Sequence, residues 1–230
     1  MIDIHCHILP GIDDGSQNME SSLQMARIAV NDGIKTIIAT PHIDRVDYPQ
    51  NALIDGINLL NGVLWKQQIP LTILFGGEVQ AHIALAIGDV FCLAGGTAML
   101  VEFPHSYLPG DAVELITNLR AKAIIPIIAH PERNTQIAEE PWLLKPLIDQ
   151  GSKIQITAES ITGELGMAAK TCANYLLQNN MVNYIATDSH SPGFRKPILS
   201  KAVHKASKMI GKQQAQKLVS APDIFPVQGN

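Results

Sequence analysis

Seven short apolar runs rich in β-branched residues alternate along this chain with stretches of helical periodicity, at residues 2–8, 35–40, 71–75, 98–101, 123–129, 153–157 and 182–186. Strands that alternate with helices pair in parallel through right-handed crossovers. The spacing therefore predicts an α/β fold, and closing the seven strands gives a (β/α)7 barrel one unit short of the eight-stranded TIM form. Asn18 can cap a first helix whose apolar face carries Met19, Leu23, Ala26 and Val30. Further helices are expected over residues 51–68, 111–122, 142–150 and 162–179, with two more between Lys196 and Ser220 ahead of a Phe225-Pro226 segment and a Gly-Asn end. At 230 residues, with no linker or low-complexity tract, one domain over residues 1–230 is the default.

A second regularity is laid over the first. Ile2, Ile4 and Ile8 alternate with polar or small residues, and residues two apart on a strand point the same way, so His5 and His7 project together. Cys6 then faces the opposite side, toward the core. At six of the seven strands a His, Asp or Glu stands at or just past the C-terminal end: His5 and His7, His42, Glu78, Glu102, His130, and Asp188 with His190. The C-terminal ends of such strands face one mouth, so these side chains converge.

Five of the eight histidines fall at these ends in an aliphatic background, a cluster hard to satisfy when buried unless it binds metal. The three cysteines form no CxxC pair, so the donors are nitrogen and oxygen only, which suits manganese, zinc, iron or magnesium. There are more donors than one ion can use, which implies two or three. Three divalent ions against the carboxylates of Asp14, Glu78, Glu102 and Asp188 leave a charge of roughly +2 for an anionic substrate to balance. Arg133, three residues beyond His130, offers a planar fork that matches phosphate oxygens; the alternative for it is a rim salt bridge with Glu132 or Glu139.

Other classes find no support. A formal charge of -4 with both signs mixed gives no basic footprint for nucleic acid, and no apolar run is long enough to enter a bilayer. No secretory leader opens the chain, so a cytoplasmic protein is expected. A cysteine-dependent phosphatase needs C-x5-R, but six residues after Cys6, Cys92 and Cys172 stand Ile12, Ala98 and Gln178.

The blocks His5-Cys6-His7, Asp13-Asp14-Gly15, Thr40-Pro41-His42, Gly77-Glu78, Glu102-Phe103-Pro104, His130-Pro131-Glu132-Arg133 and Asp188-Ser189-His190 together resemble the polymerase and histidinol phosphatase (PHP) superfamily. Within it the chain is similar to the manganese-dependent bacterial protein-tyrosine phosphatases encoded with capsule and exopolysaccharide genes. The resemblance implies a distorted seven-stranded barrel with three metals. His5, His7, Glu78 and Asp188 would hold the first, Glu78, Glu102 and His130 the second, and Asp14, His42 and His190 the third. Arg133 would grip the substrate phosphate while a hydroxide bridging the ions attacks it. The implied partner is the phosphotyrosine tail of a membrane-bound autokinase that controls polysaccharide export, and the family commonly forms homo-oligomers.

Two other chemistries stay open: a PHP-type phosphatase for a small monoester such as histidinol phosphate, and an amidohydrolase or nuclease on a similar barrel. The chain departs from the family pattern after the sixth strand, where Thr157-Ala158-Glu159-Ser160 places an extra acid near the mouth. That acid would repel acidic peptides. The role of Asp13, in support of the metals or of the leaving group, is also open.

Overall fold

A computed structural model describes residues 1–226. The Gly-Asn end of the tail lies outside the described residues. The strands are β1 (Ile2–Cys6), β2 (Thr36–Ala39), β3 (His42–Ile43), β4 (Thr72–Phe75), β5 (Glu78–Gln80), β6 (Ala98–Glu102), β7 (Ile125–Ala129), β8 (Lys153–Thr157) and β9 (Tyr184–Ala186). In chain order the helices are α1 (Met19–Asn31), α2 (Gln50–Lys66), α3 (Ala84–Ile87), α4 (Ala112–Ala121), α5 (Thr135–Glu139), α6 (Lys145–Asp149), α7 (Ala158–Thr162), α8 (Met167–Gln178), α9 (Ser200–Ile210) and α10 (Lys212–Lys217). Asn18 caps α1 by accepting from the amide of Ser21. The helix expected over 162–179 begins only at Met167, as α8, and a separate short helix, α7, ends at Thr162, because Gly163 and Gly166 between them take φ of 102° and 94°, which only glycine adopts freely.

Every strand pairing is parallel, as the alternation predicts. A closed seven-stranded barrel is not found among the described residues. The strands make two sheets, one ordered β1-β2-β4 and one ordered β3-β5-β6-β7-β8-β9. The second and third expected strands are each interrupted, which raises the count to nine. Pro41 has no amide to continue the ladder after β2, and Gly76-Gly77 separate β4 from β5. Those two glycines are forced by packing: a Cβ on Gly76 would lie 2.7 Å from Ile38 Cγ2, and one on Gly77 2.7 Å from Ile43 Cγ1. On the other side, β1 and the segment after β9 approach through one isolated bridge, Cys6 to Ser189, and through the amide of Asp188 donating to His5 O at 2.8 Å.

Side chains alternate between two apolar clusters. Ile37, Met99, Val101, Ile128, Ile154, Ile156 and Ile185 pack outward against the helices. Ile38, Leu100, Ile127, Tyr184 and Ala186 face inward and fill the space between the sheets. Ala221 and Ile224 from the C-terminal segment join this inner cluster at its base. All three cysteines are free and buried, and no described helix is long and apolar enough to cross a membrane.

Candidate metal centre

The placement of His5 and His7 depends on an irregularity that alternation alone does not reveal. Ile4 packs in the inner cluster and Cys6 in the outer one, although two residues on a regular strand share a face. The register explains this: Asp3 pairs with Ile37 but Cys6 with Ala39, so β1 has one residue more than β2 over that span. Such a bulge inverts the parity of everything beyond it. Ile4 stays inside, and His5 and His7 are also turned inward. The buried Asp3 carboxylate holds the bulge, accepting from the amide of His5 at 3.4 Å and from the amide and hydroxyl of Thr187 at 2.9 and 2.5 Å.

All eight histidines and carboxylates expected at the strand ends meet at one mouth, joined by Asp14 from the loop after β1. His5 Nε2 and His7 Nε2 stand 3.2 Å apart. Asp188 Oδ1 is 3.2 Å from the first and 3.3 Å from the second, and the Glu78 carboxylate is 3.4 Å from each. His130 Nε2 lies 2.8 Å from Glu78 Oε1 and 3.8 Å from Glu102 Oε1. Asp14 Oδ1 is 3.4 Å from both His42 Nε2 and His190 Nε2. Donor atoms lie within 4.8 Å of one another in four sets: His5-His7-Glu78, His5-His130-Asp188, His42-Glu78-Glu102 and His7-Asp14-His42-His190. The grouping differs from the implied partition in three respects, since His7 also stands with the third set, His42 with Glu78 and Glu102, and His130 with His5 and Asp188.

These residues fit divalent metal. Two facing imidazole Nε2 atoms can share only one hydrogen between them, and the wholly buried Glu78 carboxylate has imidazole nitrogens of His5, His7, His42 and His130 within 3.4 Å, a crowding of donor atoms that a divalent ion satisfies. Nitrogen and oxygen donors about 2.1 Å from a common centre stand roughly 3.0–3.4 Å apart, which is the spacing seen around His5, His7, Glu78 and Asp188. The other ring nitrogens are occupied in a way that frees Nε2: His5 Nδ1 is 3.0 Å from Gln155 Oε1, and His7 Nδ1 is 2.7 Å from Asp13 Oδ2. A carboxylate or amide oxygen in that position fixes the tautomer.

Electrostatics point the same way. Burial opposes ionisation of Glu78 and Asp188, but the surrounding histidines outweigh it and hold both carboxyls well below their usual range. For His5 burial is likewise outweighed by Glu78 and Asp188, and for His7 by the Asp13 hydrogen bond and then by Asp188 and Glu78, so their proton affinity rises; a divalent ion would compete for those lone pairs. Burial, and then the Glu78 charge, push Glu102 up to about 7. Burial and the nearby His7 bring His190 down to about 4, a neutral imidazole at neutral pH. His130 and Asp188 both have left-handed backbones, with φ of 31° and 50°, and local strain of this kind persists where the surroundings over-determine it.

Arg133, in the 3-10 turn Pro131–Arg133, ion-pairs with Asp188 Oδ2, and so does Arg195. Glu132 is not the partner of Arg133: it is buried and accepts from the Thr157 amide at 2.8 Å and from Ser160 Oγ at 2.7 Å. Arg195 went unread in the sequence because it sits five residues beyond His190 in a Ser-Pro-Gly loop, past the reach of strand-end logic. Gln155 could have been found as a polar residue at an inward position of β8. Glu159 is half-buried, with its carboxyl raised by burial and by Glu164 against the pull of Arg195.

Comparison with known proteins agrees with this geometry. A family model described as "Capsular polysaccharide synthesis, CpsB/CapC" matches residues 1–223. The tyrosine-protein phosphatase YwqE of Bacillus subtilis (strain 168) is 38% identical over 231 residues, covering 98% of this chain and 91% of that protein. A chain from the crystal structures of YwqE from Bacillus subtilis and CpsB from Streptococcus pneumoniae, described as metal-dependent tyrosine phosphatases, superposes with a TM-score of 0.91 at 36% identity, covering 98% of this chain and 94% of that one. The histidinol phosphate phosphatase of Lactococcus lactis, solved with zinc, L-histidinol and phosphate, shares the fold at 14% identity, with a TM-score of 0.58 over 93% of each chain.

Proposed function

Because the chain belongs to the CpsB/CapC family of capsular polysaccharide synthesis, we propose that it is a metal-dependent protein-tyrosine phosphatase. The observation that carries the reading is the nitrogen and oxygen donor cluster with two guanidinium groups converging on one of its carboxylates. In this reading His5, His7, Glu78 and Asp188 would hold one ion, Glu78, Glu102 and His130 a second, and Asp14, His42 and His190 a third, with manganese as the metal. Bound divalent ions would neutralise phosphoryl oxygens and lower the pKa of water at the reacting phosphorus.

The chain's own groups do the rest. Asp13 and Gln155 orient His7 and His5 through Nδ1 and keep Nε2 free to donate. Arg133 and Arg195, already at the mouth, grip the phosphoryl oxygens and stabilise the charge that grows on them in the transition state. His190, neutral at physiological pH, keeps its lone pair available toward the site. The enzyme works as a single domain in the cytoplasm, and its substrate is the phosphotyrosine tail of a membrane-bound autokinase in capsule export.

Hydrolysis of a phosphotyrosyl peptide with manganese, beside histidinol phosphate, tests this reading. Peptide turnover that chelator removes and that His5→Ala abolishes supports it. Preference for histidinol phosphate would move the function to a small-metabolite phosphatase, and inactivity on every phosphomonoester with metal bound would end the phosphatase reading.

A further inference from the structure

A cavity of 920 Å³ opens onto the metal centre on the side of β3 and β6, with His42 and Glu102 lining both. Its size is at the upper end of small-ligand pockets, typically about 300–1,000 Å³, and it has room for more than a phosphorylated ring. One wall is the aromatic segment Phe103, His105 and Tyr107, of which Tyr107 is 54% exposed. That wall is pinned in place: Asn134 Nδ2 donates to Pro104 O and Tyr107 O at 2.6 and 2.9 Å, and the Thr135 amide donates to His105 O at 2.8 Å. The hydrogen bonds tie it to the turn that carries Arg133.

The start of α4 also lines the cavity, through Asp111 just before the helix and Glu114 in its first turn. Among the described residues neither takes part in an ion pair, and Asp111 makes no capping bond. No lysine or arginine lines the cavity. The cationic groups nearby are otherwise engaged: Arg45 pairs with Asp44, and Lys122 donates to Leu85 O. The mouth is thus bipolar, with Arg133 and Arg195 on one side and unmatched carboxylates on the other.

We infer that this cavity, resting on the phosphatase reading above, binds the peptide segment beside the phosphotyrosine and selects a lysine or arginine there. A phosphotyrosyl peptide with a neighbouring cation matches both poles, whereas an acidic neighbour meets Asp111, Glu114 and, further round the mouth, Glu159. Charge complementarity of this kind acts through discrimination between partners.

The test compares two phosphotyrosyl peptides that differ only in the residues flanking the tyrosine, lysine in one and glutamate in the other. With the manganese-loaded protein, kcat/KM should favour the lysine peptide by about fivefold at low salt, and the preference should shrink as ionic strength rises. The variant carrying Asp111→Asn and Glu114→Gln should bring the ratio to near one. A role confined to complementing the α4 dipole would lower the melting temperature and leave the ratio unmoved. Equal rates on the two peptides, or a preference that survives in the variant, would overturn the inference. Hydrolysis of p-nitrophenyl phosphate, which has no flanking residues, separates the two levels. If it is absent, the phosphatase reading fails, and anisotropy titration of the labelled peptides then reads the charge preference directly, equal affinities overturning it.

Discussion

Asp13 Oδ2 lies 2.7 Å from His7 Nδ1 while its other oxygen accepts from the Gly15 amide at 3.0 Å, so one carboxylate ties the loop after β1 to an imidazole at the centre of the cluster. Asp13 Oδ2 also accepts from the His42 amide at 3.2 Å. Burial alone would raise its pKa, but the His7 hydrogen bond and charge, with the two amides, bring it down to about 2. The carboxylate is therefore ionised under all ordinary conditions, and it acts on His7 rather than on a leaving group.

Asp13→Asn keeps the shape and removes the charge that makes His7 Nε2 a strong donor. Orienting groups of this kind are worth about 10–100-fold in metal affinity. Manganese affinity measured by calorimetry should fall by that factor, with activity recovering at saturating metal. Unchanged affinity would show that Asp13 has no hold on the metal.

Arg133 and Arg195 share Asp188 Oδ2, so each guanidinium stands next to a residue of the donor cluster. Replacing either by alanine should lower kcat/KM on a phosphotyrosyl peptide by about 10²–10³-fold, the scale for one donor to transition-state charge. Metal content by elemental analysis should stay as in the wild type. The double variant should lose less than the product of the two factors, since both act on one group. A loss under threefold in Arg195→Ala would remove it from the phosphate grip.

Gly15 is fixed by space. A Cβ there would stand 2.3 Å from His7 O and 2.4 Å from His7 Cβ, and neither can move without shifting β1. Gly15→Ala should destabilise the fold by about 1–3 kcal/mol and weaken metal binding, because it displaces both His7 and the Asp13-Asp14 turn. Thermal unfolding with and without manganese reads both effects. A melting temperature equal to the wild type would mean that the loop relaxes freely.

Much of this site is legible in the sequence, because strand ends in a parallel α/β chain face one way and a donor at each end needs no further information to be gathered. His42, Glu78, Glu102 and His130 lie at or next to strand termini, and they meet. What could not be read depends on contacts between segments far apart in the chain. The bulge in β1 arises from Asp3 bonding to Thr187, 184 residues away, and the break between the sheets from Gly76 meeting Ile38 and Leu93. Period-2 reasoning aimed His5 and His7 together but put Ile4 on the wrong side, since parity changes at the bulge. Arg195 lies on a loop, where position is set by tertiary packing and no period applies.

At the opposite end from the donor cluster, Lys153 donates to Asp223 and Tyr184 OH donates to the same carboxylate at 2.9 Å, fastening the C-terminal segment under the inner cluster. Burial raises Asp223, but Lys153 and Tyr184 outweigh it and leave its pKa below the ordinary 3.8. A carboxyl depressed in the folded state adds stability above its unfolded pKa and loses it as pH falls through the folded value. Asp223→Asn should therefore melt below the wild type at pH 7, by an amount near the about 1 kcal/mol of a hydrogen bond to a charged group at a half-exposed site. The gap should close as pH falls below about 4 and the wild-type carboxyl protonates. Thermal melts of both proteins from pH 7 to pH 3 decide it, because a gap constant across that range would make the contact one of shape alone.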